Sequence, residues 1–175
     1  MIIRKLSNKE IEMAVELNIQ CWNKDYAGVV PPDVFNKEET LENILIWIND
    51  ETDDIRRMYG AFHGDQFVGY IGASIAEEED SSKGVEINYL FVNEAYRGKG
   101  ISIKLMKTVV EEFIGYGFME CIVYNWYDVP SNKFYRYLGG TVKKQMLQSL
   151  KGQKALVDIF VWDLDELLKR LNEVK

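Results

Sequence analysis

Between Tyr96 and Val110 an otherwise acidic chain carries Arg97, Lys99, Lys104 and Lys107 and no carboxylate. Within this island, Arg97-Gly98-Lys99-Gly100-Ile101-Ser102 stands between a strongly β-prone run and a helical one. Glycines let a backbone approach a ligand closely and take up conformations closed to other residues. The first amides of the following helix converge on one spot, where the helix dipole also favours negative charge. A small polyanion such as a diphosphate suits that chemistry. A P-loop needs four residues between its first glycine and Gly-Lys-Ser/Thr, which this chain lacks. The dinucleotide fingerprint G-x-G-x-x-G also fails, because Ile103 stands at its third glycine. The pattern that fits is R-x-x-G-x-small, with Arg97, Gly100 and Ser102 at its defined positions. On its own, such a turn is also compatible with an ordinary strand-to-helix connection.

Other chemistries are excluded or left without support. The net charge of −7 disfavours nucleic acid as a partner, since phosphate backbones want a basic face. His63 is the only histidine, so no multi-histidine zinc site exists, and it sits in the turn-like His63-Gly64-Asp65. Cys21 and Cys121 lie far apart beside apolar residues and read as buried hydrophobes, not as metal ligands or a disulfide. No metal site is expected. No run of about 18 apolar residues is present, so no membrane span is expected. The start, Met1 to Leu6, has no basic region followed by an apolar stretch, and the expected location is cytoplasmic.

The elements that must position the turn follow from apolar spacing. Ile2 to Leu6 reads as a strand, and Ser7 with Glu10 forms a capping box for a helix. Ile11, Ala14, Val15, Asn18, Ile19 and Trp22 give that helix one buried face. Asn23 to Glu39, with Pro31-Pro32, reads as loop; a second helix begins near Thr40, with Leu41, Ile44, Leu45 and Ile48 as its stripe. Met58 to Phe62 and Gln66 to Ile75 form a hairpin about His63-Gly64-Asp65. The acidic stretch Glu77 to Asp80 reads as an exposed loop. Val85 to Val92 is the strand feeding the glycine turn. Leu105, Met106, Val109, Val110 and Phe113 form the buried face of the helix after it, which ends at Gly115 or Gly117.

Met119 to Tyr124 is the next strand, and a short helix carrying Phe134, Tyr135 and Leu138 stops at Gly139-Gly140. Strands near Thr141 to Leu150 and Ala155 to Trp162 flank the turn Lys151-Gly152-Gln153. A last helix starts at Asp163 or Asp165 and buries Leu167, Leu168 and Leu171. The order βααβββαβαββα is one mixed α/β (α+β) domain over residues 1–175, with 47% hydrophobic residues to fill its core.

Tyr89-Leu90-Phe91-Val92-Asn93-Glu94-Ala95-Tyr96-Arg97-Gly98-Lys99-Gly100-Ile101 resembles the coenzyme A signature of the GNAT N-acetyltransferase superfamily. Ser131-Asn132-Lys133-Phe134-Tyr135-Arg136-Tyr137-Leu138-Gly139-Gly140 resembles that family's second signature, and the likeness runs the length of the chain. The resemblance implies a central, mostly antiparallel twisted sheet of about seven strands with helices on both faces. It implies acetyl-CoA as cofactor, bound by Leu90, Phe91, Val92, Arg97, Gly98, Lys99, Gly100, Ile101, Ser102, Ile103, Asp128, Ser131 and Tyr135. Two positions depart from the family pattern. Ser102 replaces a usual Gly or Ala but is small enough to keep the backbone close. Asp128 stands where an Asn commonly contacts the cofactor and can only accept hydrogen bonds; Asn125 could take its place in a rearranged loop.

The implied reaction is direct attack of a primary amine on the thioester within a ternary complex. Tyr135 matches the tyrosine near the coenzyme A sulfur and becomes the general acid; by spacing alone it is equally a core aromatic paired with Leu138. A main-chain N–H of Leu90 to Val92 would stabilise the carbonyl oxyanion. Glu86 is the candidate base, acting through water, or else a carboxylate on a solvated strand face. Alternation puts Glu86, Asn88, Leu90 and Val92 on one face and Val85, Ile87, Tyr89 and Phe91 on the other. Trp22, Tyr26, Tyr124 and Trp126 are candidates for the acceptor wall, with core packing the alternative for Trp22. The Glu77 to Asp80 run is a solvated loop or a steering field for a cationic amine. The expected acceptor is a small molecule, with a protein N-terminus or lysine, or a non-catalytic acyl-CoA sensor, as alternatives. Pairing of edge strands or of the C-terminal region would make a homodimer.

Overall fold

A computed structural model describes residues 1–26, 36–50, 54–150 and 152–174. Ala27 and Gly28, the Pro31-Pro32 loop and Lys151 of the last turn lie outside the described residues. In chain order the elements are β1 (Ile2–Lys5), α1 (Ile11–Asp25), α2 (Lys37–Asn49), β2 (Arg57–His63), β3 (Gln66–Ile75) and β4 (Gly84–Val92). They continue with α3 (Ile101–Gly115), β5 (Glu120–Trp126), α4 (Ser131–Tyr137), β6 (Thr141–Leu150), β7 (Gln153–Asp163) and α5 (Leu164–Glu173). Short 3₁₀ turns at Asn8–Glu10 and Glu94–Tyr96 precede α1 and α3. Among the described residues no helix is long and apolar enough to cross a membrane.

The seven strands form one sheet in the order β1-β2-β3-β4-β5-β7-β6, antiparallel except for β4 beside β5. The predicted order of elements holds, and helices cover both faces. On one face α3 and α5 bury Leu105, Met106, Val109, Val110, Phe113, Leu164, Leu167 and Leu171 against Val85, Ile87, Cys121, Val123 and Phe160. Each such side chain removed from water is worth about 1.5–3 kcal/mol, which fixes α3 across the sheet. On the other face α1 and α2 pack Ile11, Ala14, Val15, Leu17, Cys21 and Ile44 on Met58 and Tyr70.

Local chemistry sets the boundaries. The Ser7–Glu10 capping box forms, with the Glu10 carboxylate accepting from the Ser7 amide and Arg4. Asn36 caps α2 by accepting from the Glu39 amide, so this helix starts at Lys37, earlier than the apolar stripe alone indicates. Likewise α1 runs on to Asp25 instead of ending at Trp22. Gly117 adopts φ +87° after α3, and its amide bonds back to Ile114 as Phe118 does to Phe113, a Schellman-type stop.

Two expectations are corrected. The alternation along β4 breaks at Asn88, the extra residue of a bulge: Gly72 pairs with Tyr89 while Ala73 pairs with Ile87. Asn88 Oδ1 accepts from the Ser74 hydroxyl at 3.0 Å. Val85, Ile87, Leu90 and Val92 therefore all join the α3 side, and Tyr89 and Phe91 join the α1/α2 side with Glu86. The second correction concerns Asp80, whose side chain is only 7% exposed, bridged by Lys144 Nζ at 2.7 Å and receiving the Tyr124 hydroxyl. Glu77, Glu78 and Glu79 remain exposed.

Candidate active site

Strands β4 and β5 pair for three rungs only: Gly84 with Glu120, Val85 with Cys121 and Glu86 with Ile122. Beyond Glu86 each strand stays with its outer neighbour, β4 with β3 through Val92 and β5 with β7 through Trp126. A wedge opens between them, and a cavity of about 530 Å³ lies along its β4 side. Its β4 wall is Leu90, Phe91 and Val92; its end is Arg97, Gly98, Gly100, Ile101, Ser102 and Ile103. The opposite wall is α4, through Pro130, Ser131, Phe134, Tyr135 and Tyr137, and Asp25 and Tyr26 close the α1 side.

The glycine turn is built for an anion. Gly98 and Gly100 have φ of +73° and +72°, which L side chains rarely adopt, and nothing lies within 4 Å of a Cβ built on either. Lys104 is the first residue to bond back into the helix, to Gly100 O at 3.1 Å. The amides of Ile101, Ser102 and Ile103 therefore have no partner within the helix, and the first turn contains no acid. Open backbone, orphan amides and an unpaired strand edge on one cavity fit an elongated ligand with a diphosphate at one end.

The cationic side chains do other work here. Arg97 grips Asp25 through both terminal nitrogens, at 2.9 and 2.6 Å, and its Nε donates to Val92 O at 3.1 Å. It thereby ties the end of α1 to the end of β4. Lys99 does not line the cavity; its ammonium donates to Ala95 O and lies over the Tyr96 ring at 4.7 Å.

Tyr135 is buried on the cavity wall against Phe134, Phe160 and Trp162. Burial, then the neighbouring Tyr26 and Cys121, push its phenol above the ordinary value. Gly140 permits this placement: a Cβ there would sit 2.2 Å from the Trp162 ring and 2.9 Å from Tyr135 O. Asp128 does not line the cavity; it turns the chain after β5 with φ +59°. Asn125 is buried and committed to α4, donating to Ser131 Oγ at 2.9 Å and to Asn132 Oδ1 at 2.5 Å.

Glu86 lies on the last rung before the wedge, on the α1/α2 side, and does not line the cavity. Burial, then Asp80 and Glu77, push its carboxyl up to about 7. On this face Trp22 stacks on Tyr26 at 4.3 Å and meets Trp126 edge-on at 6.4 Å. Tyr124 is two residues nearer Glu86 along β5. The four aromatics named from sequence thus share one side of the split, though only Tyr26 reaches the cavity. Sequence reasoning missed Asp25, Tyr96, Pro130, Phe134, Tyr137 and Val174 on the cavity wall. It also missed Asp158, 1% exposed, although an acid inside the otherwise apolar run Ala155 to Trp162 is a legible signal.

The family model described as the acetyltransferase (GNAT) family matches residues 14–139. The chain belongs to the GNAT acetyltransferase family. It is thus an acetyl-CoA-dependent N-acetyltransferase. No curated protein matches the chain by sequence. Among solved structures, the GNAT chain is similar to the PaiA N-acetyltransferase from Thermoplasma acidophilum in complex with coenzyme A. That likeness has a TM-score of 0.65 at 20% identity, covering 93% of this chain and 98% of that one. yncA from Salmonella typhimurium, solved with its cofactor acetyl-CoA, gives 0.65 at 18% identity over 94% of each chain. An aminoglycoside 6'-N-acetyltransferase complexed with coenzyme A gives 0.70 at 16% identity, covering 94% and 97%. At these identities the likenesses establish the fold.

Proposed function

We propose that this chain acetylates a small-molecule primary amine by direct attack within a ternary complex. The observation that carries this reading is the wedge, where the free edge of β4 and the first amides of α3 face one cavity. Acetyl-CoA supplies an activated acetyl group. The amides of Ile101, Ser102 and Ile103 with Gly98 and Gly100 hold the diphosphate, and the main chain of Leu90 to Val92 holds the pantetheine arm. Ser131 and Arg97, both on the cavity wall, complete that surface.

The two titrating groups approach from opposite sides of the sheet. Glu86 stands on the α1/α2 side at the apex of the split, and Tyr135 belongs to the α3-side core. Glu86, held near neutrality by its surroundings, takes a proton from the amine through water, exposing the nitrogen lone pair. A main-chain N–H of Leu90 to Val92 stabilises the charge that develops on the carbonyl oxygen. As the nitrogen–carbon bond forms and the carbon–sulfur bond breaks, the Tyr135 hydroxyl gives its proton to the sulfur, and the second proton lost by the nitrogen returns through water to the phenolate. Trp22, Tyr26, Tyr124 and Trp126 form the acceptor wall. The exposed Glu77 to Glu79 draw a cationic amine towards it. The aminoglycoside in the name of one structural relative accords with a small polyamine-like acceptor.

The test is release of free thiol from acetyl-CoA against a panel of polyamines, aminoglycosides, amino acids and peptides. Turnover of a small amine supports the reading. Turnover confined to peptides replaces it with protein acetylation, and tight acetyl-CoA binding without any turnover replaces it with a sensor.

A further inference from the structure

A ladder of buried amides links a carboxylate in β7 to the cavity. Asp158 accepts from Gln145 Nε2 at 2.7 Å, Asn132 Nδ2 at 3.3 Å and Arg136 at 3.3 Å. Asn132 Nδ2 also donates to Trp126 O at 3.0 Å, and its Oδ1 receives Asn125 Nδ2 at 2.5 Å. Asn125 Nδ2 donates as well to Ser131 Oγ at 2.9 Å, and its Oδ1 receives the Tyr26 hydroxyl at 3.4 Å. Asn125, Asn132 and Asp158 are all buried.

The direction of this ladder is dictated from its far end. A carboxylate and a backbone carbonyl only accept, so Asn132 must turn its NH₂ towards Asp158 and Trp126 O and its oxygen towards Asn125. Asn125 must then present its NH₂ to Asn132 and its oxygen to Tyr26. The Tyr26 proton is thereby committed to Asn125, which leaves the phenolic oxygen as an acceptor on a residue that lines the cavity. A primary amine attacking a thioester needs its N–H bonds directed away from the carbonyl so that its lone pair points at it.

We propose that Asp158, Asn132 and Asn125 are positioning residues that set the polarity of Tyr26, whose oxygen accepts an N–H of the acceptor amine and aims its lone pair. The inference rests on the acetyl-transfer reading. Asp158→Asn is nearly isosteric but can donate, so it leaves Trp126 O alone to fix Asn132 and admits the arrangement in which both amides turn over and Asn125 donates to Tyr26. The Tyr26 proton is then sent into the cavity.

Two readouts separate the ladder from the reaction. In tyrosine-¹³Cζ-labelled protein, the Tyr26 resonance, assigned by its loss in Tyr26→Phe, shifts in Asp158→Asn. With the best amine, both variants raise KM for the amine about 3- to 10-fold, the loss of one hydrogen bond, and leave acetyl-CoA affinity unchanged. The double variant is no worse than Tyr26→Phe, because both changes act through one group. Should Asp158→Asn not fold, Asn125→Leu removes the acceptor for the Tyr26 proton and gives the same KM effect. A Tyr26 resonance unmoved in both Asp158→Asn and Asn125→Leu overturns the ladder whatever the kinetics. A moved resonance with unchanged amine KM, or additive effects in the double variant, overturns the positioning role. A moved resonance in a protein that acetylates no amine leaves the ladder standing and removes the acetyl-transfer reading instead.

Discussion

Replacing Glu86 by Gln should make the protein more stable and less active, and the stability gain should depend on pH. The carboxyl is mostly buried beside Asp80 and Glu77, which lifts it from 4.5 to about 7. Below about pH 4.5 folded and unfolded chains both hold the proton, so the substitution changes little. As pH rises through the window from 4.5 to 7 the unfolded chain releases its proton first, and the wild type loses stability. Above about 7 the folded protein carries an ionised carboxylate in a poor environment, at a cost of about 3 kcal/mol. Glu86→Gln removes that cost while keeping shape. Urea unfolding at about pH 5 and pH 8 should show the variant ahead by about 1 kcal/mol or less at the first and by about 3 kcal/mol at the second. In parallel, kcat/KM of the wild type should climb with pH through about 7, the base being active when deprotonated, and the variant should lack that limb. A stability difference that stays constant between these pH values would show that Glu86 is not held near neutrality, and its assignment as base would go too.

Tyr135→Phe should lower kcat about 10²-fold, the scale of a lost general acid, while calorimetry finds acetyl-CoA affinity unchanged. Gly140→Ala should cost about 1–3 kcal/mol in thermal or urea unfolding, because its Cβ would overlap the Trp162 ring. Gly100→Ala should weaken acetyl-CoA binding and cost about 1–2 kcal/mol of stability, since φ is +72° there. Asp25→Asn should alter stability by less than about 1 kcal/mol, because its pair with Arg97 is partly exposed, yet tighten acetyl-CoA binding by removing a carboxylate from the cavity wall. Calorimetry checks the last two.

The sequence showed the order of elements because each helix has a separate apolar stripe and each stop has its own residue: Gly117 after α3, Gly139-Gly140 after α4, Asp163 before α5. The glycine turn was equally plain, since positive φ at Gly98 and Gly100 leaves a mark in residue type. The bulge at Asn88 was not legible. A strict period of two assumes an unbroken ladder, and the break depends on Ser74 in another strand. Nor did the acidic run announce that Asp80 is buried while Glu77 to Glu79 are exposed; Tyr124 and Lys144 decide that from β5 and β6. Arg97 and Lys99 were read by charge as ligand contacts, whereas their resting partners, Asp25 and Ala95, come from distant or purely backbone positions.

Across its middle the sheet is stitched by three rungs, while the ladders on either side of that seam carry seven each. The protein is thus two leaves sharing a short spine, with α3 on the β2–β4 leaf, α5 against β7 on the other, and the two helices packed together. A molecule seated in the wedge would dry the facing edges and bridge the leaves, so occupancy and rigidity should rise together. In a cell well supplied with acyl-CoA, the donor would act as an eighth strand that the gene does not encode.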